Sequence, residues 1–341
     1  NIEIDEIKQT NEQKQHADER ESMFLVSEYA RDYFHKNLLE DPQGKAIGLS
    51  YFIERGYTEE TIKKFQLGYS LNEWEAFTSE ALNKGYNLKY LESTGLTIVK
   101  QDSQNPNNTK QFDRFKGRIM FPIHNLSGRV IGFGGRILKT EKSSAKYLNS
   151  PESDIYNKSK VLYGIYFAKQ EILKSDNCFL VEGYTDVISL HQSGIENVVA
   201  SSGTSLTIDQ IKLIKRFTPN ITILYDGDSA GLKAIDHAIP VLEREQLKVE
   251  VLTIPEKMDP DDFVKAYGPE KFEMLFGEYT KDAYAFRYDY YKRGKNLKDA
   301  NDMKAFKKQV MTMVRSSDAS IRGFYVQKLA QDLFKDWVIF F

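Results

Sequence analysis

Cysteine occurs once in this chain, at Cys178, so its own residues can close no disulfide and build no cysteine-rich zinc site. That scarcity fits a reducing, cytoplasmic setting, and Cys178, which opens an apolar run, reads as a small core residue. No apolar stretch approaches the ~20 residues of a membrane span. Nor does a positively charged start lead into an apolar core, so no signal peptide is visible and no membrane partner is expected. The first residue is Asn1, and the chain reads as a fragment of something longer. Of the five histidines, His16, His35, His124, His191 and His237, none are paired at a metal-ligand spacing. Residues 1–20 hold no aromatic side chain and are dominated by Glu, Gln, Asn, Asp and Lys, which predicts a linker or a frayed helix. Net charge is scarce as well: at −2 it names no partner. What remains, 41% hydrophobic and 28% charged residues over 341, is a globular composition with length for two or three domains.

The informative stretch runs from Phe179 to Asp262. Short apolar runs at Cys178–Val181, Val198–Ala200, Ile221–Tyr225 and Val249–Leu252 alternate with segments of helical spacing, which predicts an α/β fold with a parallel sheet. Strands that run the same way collect the residues after them along one edge, where open α/β sheets bind ligands. Glu182, Asp226, Asp228, Asp259 and Asp261 therefore converge. Such crowding is unfavourable unless a cation sits among the carboxylates, and hard divalent ions with oxygen ligands, Mg²⁺ or Mn²⁺, suit the set. Gly227 leaves Asp226 and Asp228 free to turn toward one cation, and Asp259 and Asp261 repeat the arrangement around Pro260. Asp186 either joins Glu182 or caps a helix, and capping accounts comfortably for Asp262.

Upstream, a helix is expected from Ser22, as N-cap, to about Leu39, burying Leu25, Tyr29 and Tyr33 with Val26, Ala30 and Phe34. A second runs from Ala46 to Arg55 and stops at Gly56, and Thr58 caps a third. Residues 101–110 form a loop, and Arg118–His124 and Arg129–Ile137 form a hairpin around Asn125–Gly128. Gly132, Gly134 and Gly135 remove side chains from its second strand, which suggests close approach by nucleic acid or triphosphate. Residues 110–160 carry 11 Lys or Arg against 4 Asp or Glu, whereas residues 226–262 carry 10 acids against 4 bases. With Phe115, Phe121, Phe133, Tyr147 and Tyr156 interleaved, the basic stretch has the character of a groove for single-stranded nucleic acid. Beyond a break at Gly268-Pro269 the chain is helical to about Phe334, and Trp337–Phe341 is expected to dock on the body or to mark a cut.

Five blocks carry a resemblance: Asp113–Ile123, Gly128–Arg136, Lys146–Glu152, Glu182–Asp186 and Tyr225–Gly231. In this order they resemble the RNA polymerase core of bacterial DnaG-type primases, whose catalytic domain is of the Toprim type. Tyr51–Gly56 followed by Phe65–Gly68 is similar to the family as well. The resemblance implies a linker over 1–20, a mixed α+β basic subdomain over 21–165, a Toprim domain over 166–278 and a helical bundle over 279–341. It implies synthesis of short RNA primers from ribonucleoside triphosphates on a single-stranded DNA template. The zinc-binding module and the helicase-binding domain that flank the core in the family are not expected here, and a replicative helicase would dock through the latter. Glu182 becomes a metal ligand or the general base, and Arg118, Arg136, Lys146 and Lys158 take the family's basic functional positions. His124 stands where an arginine is common, so one cation of the groove is expected to be missing. The alternatives are a Toprim nuclease, against which Lys146–Glu152 and the basic stretch speak, and a non-catalytic nucleic-acid-binding scaffold, against which the five acids speak.

Overall fold

A computed structural model describes residues 11–101, 109–138, 145–203, 205–254 and 258–334. Most of the loop expected over 101–110, and all of Trp337–Phe341, fall outside the described residues. The first helix, α1 (Asn11–Glu40), starts well before Ser22, whose hydroxyl bonds back to the Asp18 carbonyl inside the helix. Residues 11–20 are good helix formers, and ion pairs anchor the segment to the body. Lys89 reaches Glu19 at 2.5 Å, and Arg129 reaches Glu21 at 2.6 Å and Glu28 at 2.8 Å. The buried stripe is Met23, Val26, Ala30, Phe34 and Leu38, whereas Leu25 is 50% exposed, one position off the expected face.

A π-helical turn over Gly44–Leu49 runs into α2 (Ser50–Glu54), which stops at Gly56 with φ +80°. Thr58 then caps α3 (Glu59–Lys64), its hydroxyl accepting from the Thr61 N–H. Next come β1 (Gly68–Tyr69), α4 (Ala76–Asn83) and α5 (Leu88–Ser93), followed by the hairpin of β2 (Thr97–Gln101) and β3 (Thr109–Asp113). Hairpin strands β4 (Arg118–His124) and β5 (Val130–Ile137) form as expected, around a turn in which the Asn125 side chain accepts from the N–H groups of Ser127 and Arg129. With β6 (Tyr147–Asn149) they complete an antiparallel sheet of order β1-β4-β5-β6.

After α6 (Ile165–Ser175) the chain alternates β7 (Cys178–Val181), α7 (Tyr184–Gln192), β8 (Val198–Ala200), α8 (Ile208–Lys215), β9 (Asn220–Ile223), α9 (Ser229–Arg244) and β10 (Lys248–Leu252). These four strands are parallel, in the order β8-β7-β9-β10. The chain steps from β7 outward to β8 and then crosses to the other side of β7. The switch point therefore lies between β7 and β9, the place where such sheets bind ligands. Strand β11 (Thr280–Asp282) closes the sheet beside β10 and is antiparallel, so the sheet is not uniform as expected. Between them lies α10 (Pro260–Tyr279), kinked at Gly268 as the sequence suggests.

Helices α11 (Ala283–Lys292), α12 (Ala300–Met313) and α13 (Ala319–Phe334) gather their own cluster, including Tyr288, Phe306, Val310 and Leu329. Among the described residues, no helix is long and apolar enough to cross a membrane.

The glycines of β5 have a different cause from the one expected. A Cβ at Gly134 would lie 2.4 Å from the ring of Tyr184, and one at Gly135 would lie 2.7 Å from Phe115. It is the protein's own rings that come close. Tyr184, at the start of α7, stacks on Phe121 of β4 with centroids 5.2 Å apart. The antiparallel and parallel sheets thereby share one core, in which Phe52, Phe121, Tyr184 and Val187 meet.

Candidate catalytic site

Glu182 is the first residue beyond β7. Its carboxylate accepts from the Asp226 backbone N–H, while Oε1 is buried without a hydrogen-bond partner. Burial, helped by Asp228, pushes its carboxyl above the usual range. Asp186 settles one alternative: it caps α7, Oδ2 accepting from the Gly183 N–H at 2.9 Å. It still belongs to the acidic field, pushed up to about 8 by burial and by the charges of Asp259, Asp226 and Asp261.

The loop after β9 brings Asp226 opposite Glu182. Burial and then Glu182, Asp259 and Asp228 push Asp226 up to about 7. The N–H of Gly227 donates to the Met258 carbonyl at 3.1 Å, tying this loop to the next acidic segment. Asp228 is the N-cap of α9, Oδ1 accepting from the N–H groups of Ala230 at 2.9 Å and Gly231 at 2.8 Å. Gly231 is required by contact: a Cβ there would lie 2.2 Å from the Asp226 carbonyl oxygen.

The Asp259–Asp261 pair does not repeat that arrangement. Asp259, not Asp262, is capped in the way expected of a helix start: it is the N-cap of α10, with Pro260 in the first turn, and accepts from the Asp262 N–H at 2.7 Å. Asp261 is 2% exposed and already engaged, by Arg55 at 2.5 Å, by Lys265 at 2.7 Å and by the Ser189 hydroxyl. Still, Asp259, Asp261 and Asp262 each place one carboxylate oxygen within 4.8 Å of the others, a group that could hold a metal ion. Carboxyls held above their usual range by burial and by one another, beside an orphaned Glu182 oxygen, are the donor set that a hard divalent cation would relieve.

The basic residues divide. Arg118 faces inward, 7% exposed, and its Nη1 donates to the Gly135 and Ala145 carbonyls, both at 3.1 Å, so its charge fastens β5 to the segment before β6. Arg136 lies between two rings, donating to the hydroxyls of Tyr51 at 2.5 Å and Tyr147 at 3.1 Å, and its Nε is buried without a partner. Lys146 is exposed. Lys158 sits on a short 3₁₀ turn whose backbone is held by Glu152 and Gln210. His124 ends β4 and faces inward, against Tyr166 and Phe167, so its position offers no place for a groove cation. Phe115, Phe121, Phe133 and Tyr156 are core residues; of the five expected stacking rings, Tyr147 alone is exposed. Hydrophobic packing claims aromatic side chains wherever the strand faces inward, whatever their charged neighbours.

Arg55 is the residue that sequence reasoning passed over. It bonds Asp261 and lies 5.5 Å from the Tyr51 ring, whose other neighbour is Arg136 at 5.0 Å. A continuous chain, Arg136–Tyr51–Arg55–Asp261, thus joins the basic strand to the acidic helix. The signal was present in Tyr51–Gly56, but nothing along the chain connects that block with Asp261. Asn149 makes a second joint, its side chain accepting from the Tyr184 hydroxyl at 2.8 Å and donating to the Ser202 carbonyl at 3.3 Å.

Residues 33–169 match the family model described as the DNA primase catalytic core, N-terminal domain, and residues 179–264 match a Toprim-like model. A DNA primase domain from Pseudomonas aeruginosa is 30% identical, superposes with a TM-score of 0.77, and is aligned over 91% of this chain and 95% of its own. This chain belongs to the DnaG-type primase catalytic-core family. The catalytic domain of a DnaG primase bound to ssDNA aligns equally well, at 30% identity and a TM-score of 0.77 over 93% of this chain and 97% of that one. The DNA primase of Halalkalibacterium halodurans is 36% identical over 94% of the primase core described here. The chain spans about half the length of that relative, 52%.

Proposed function

We propose that this primase core synthesises short RNA primers on single-stranded DNA as a DNA-directed RNA polymerase, joining ribonucleoside triphosphates by two-metal nucleotidyl transfer. The observation that carries it is the switch point, where the carboxylate of Glu182, one oxygen of it orphaned, meets the Asp226–Asp228 loop at the ends of β7 and β9. Mg²⁺ or Mn²⁺ held there would supply charge neutralisation at the attacking and leaving oxygens. Asp226, Asp228 and Asp259 are the holders we assign, with Glu182 assigned to take the proton of the attacking 3′-hydroxyl. Asp261, locked to Arg55 and Lys265, fixes the start of α10 so that Asp259 keeps its aim. Arg136 and Lys146 would hold template or triphosphate phosphates, and the exposed ring of Tyr147 offers a face to a base. The reading keeps the division into a basic part over 21–165, a Toprim domain over 166–278 and a helical bundle over 279–341. A replicative helicase is a further partner of this reading, docking outside the residues of the core.

The test combines a single-stranded template, ribonucleotides and Mg²⁺ or Mn²⁺, with products sized on a gel. Short new RNA is expected. A shortened template would assign a nuclease instead, and no change would leave a binding scaffold. Arg136→Ala and Lys146→Ala should each weaken strand binding and lower its salt slope by about 0.7; unchanged affinity and slope in both would reject the groove.

A further inference from the structure

We propose a second contact for single-stranded nucleic acid, a track of tyrosines and cations on the α10–α11 side of the parallel sheet. It rests on the polymerase reading and adds to it a strand path that shares no residue with the basic antiparallel sheet. Two cavities meet at Thr253, just beyond β10. One, about 470 Å³, is walled by Phe263, Tyr267 and Tyr279 with Lys271 at its rim. The other, about 350 Å³, continues onto α11, with Lys281, Tyr290 and Arg293 in its lining.

Two rings here are as open as Tyr147, the one exposed ring among the five expected in the basic stretch. Tyr267 and Tyr279 are 37% and 46% exposed, whereas Phe115, Phe121, Phe133 and Tyr156 are buried. Lys271 lies over the Tyr267 ring, 4.3 Å from its centroid, so a cation and a partly exposed ring are presented together, with the ring of Tyr279 exposed nearby in the same lining. Charge leans the same way: the two linings carry Lys271, Lys281, Lys292 and Arg293 against Asp289, although Lys281 pairs with Asp289 at 2.6 Å and Lys292 with Asp332 at 2.8 Å. Cations that meet phosphate and rings that meet bases are the recurring means of gripping a single strand without reading its sequence. An acidic peptide would use the cations but leave the tyrosines idle, which favours nucleic acid. Position makes the track useful. Tyr267 is two turns along the helix that Asp259 caps, about 12 Å at the helical rise.

The experiment measures fluorescence anisotropy of labelled oligothymidylates, one of roughly 8 nucleotides to fill a single site and one of roughly 30 to span both. Lys271→Glu should weaken binding of the long strand and lower its salt slope by at least about 0.7. Tyr279→Ala should weaken it about fivefold with the salt slope unchanged, as lost stacking does. Both side chains are partly or wholly exposed, so both variants should fold, which circular dichroism checks. Binding of the short strand should stay as in wild type. If both variants bind the long strand like wild type while Arg136→Ala and Lys146→Ala do not, this track is wrong and the polymerase reading stands. Wild type that binds neither strand overturns both readings. Variants that lose only binding of polyglutamate would assign the surface to an acidic protein partner and overturn the proposal.

Discussion

Several residues of the acidic edge make structural contacts beside the roles proposed for them, and substitution can separate the two. Asp228 accepts two backbone N–H groups with one oxygen, as an N-cap does. Asparagine caps helices as well as aspartate, so Asp228→Asn should change stability by less than about 0.5 kcal/mol while removing a charge proposed to hold metal. Primer synthesis should then fall on the order of 10²-fold or more, with Mn²⁺ affinity falling alongside. On the proposed roles, Glu182→Gln removes the base but leaves Asp226, Asp228 and Asp259, so synthesis should be lost with Mn²⁺ affinity near normal. A manganese titration read beside primer yield decides the roles. Equal loss of metal affinity in both variants makes Glu182 a ligand, and robust synthesis by either would sink the transferase assignment. The identity of these acids was legible along the chain because they follow strands. Which oxygen was spoken for was not, because Arg55 reaches Asp261 only once the tertiary structure forms, to join the local partner Lys265 four residues along α10.

At the scale of elements, the parallel strands were readable almost to the residue, since burial on both faces makes them continuous apolar runs. The glycines of β5 were read correctly as a close approach, but to the wrong partner. Gly134→Ala tests the partner that the structure gives: its Cβ would meet the Tyr184 ring at 2.4 Å, which predicts a loss of about 1–3 kcal/mol by chemical denaturation. Adding Tyr184→Leu should recover part of that loss by making room. If the double variant is less stable than both single ones, the clash is not the cause. Helix α1 shows the converse error. Its first turns look too polar to fold alone, yet contacts from Lys89 and Arg129, distant in sequence, hold them.

For the molecule as a whole, pH tests where the charges are buried. Burial drives the imidazoles of His124 and His191 down to about 4. The unfolded chain binds those protons near pH 6.5, so the stability of the neutral, buried rings is complete above that pH and is lost as pH falls toward 4. The acidic edge has the opposite sign: with Asp186 raised to about 8 and Asp226 to about 7, metal-free protein loses stability as pH rises from about 4 through those values. Two measurements keep the effects apart. His124→Gln should flatten the fall of the urea midpoint between pH 7 and pH 5 relative to wild type; parallel curves would show that His124 takes no part. A divalent cation should raise the melting temperature more at pH 8 than at pH 6, because at pH 8 it relieves carboxylates that are otherwise charged; an equal rise at both would place the cation elsewhere.

By itself the sequence determined the alternation of strands and helices, the acids at strand ends and the concentration of cations in one stretch, because each is set by residue type and local spacing. Tertiary structure alone decided how those pieces are used. It placed the switch point between β7 and β9, sent Arg118 inward and kept Arg136 between two tyrosines, and buried four rings that the composition had offered to nucleic acid. It also carried Arg55, 206 positions away in the chain, onto Asp261. Local pattern fixes which face of an element is apolar. Which other element covers that face depends on contacts between residues far apart in the chain, and no spacing along the sequence records them.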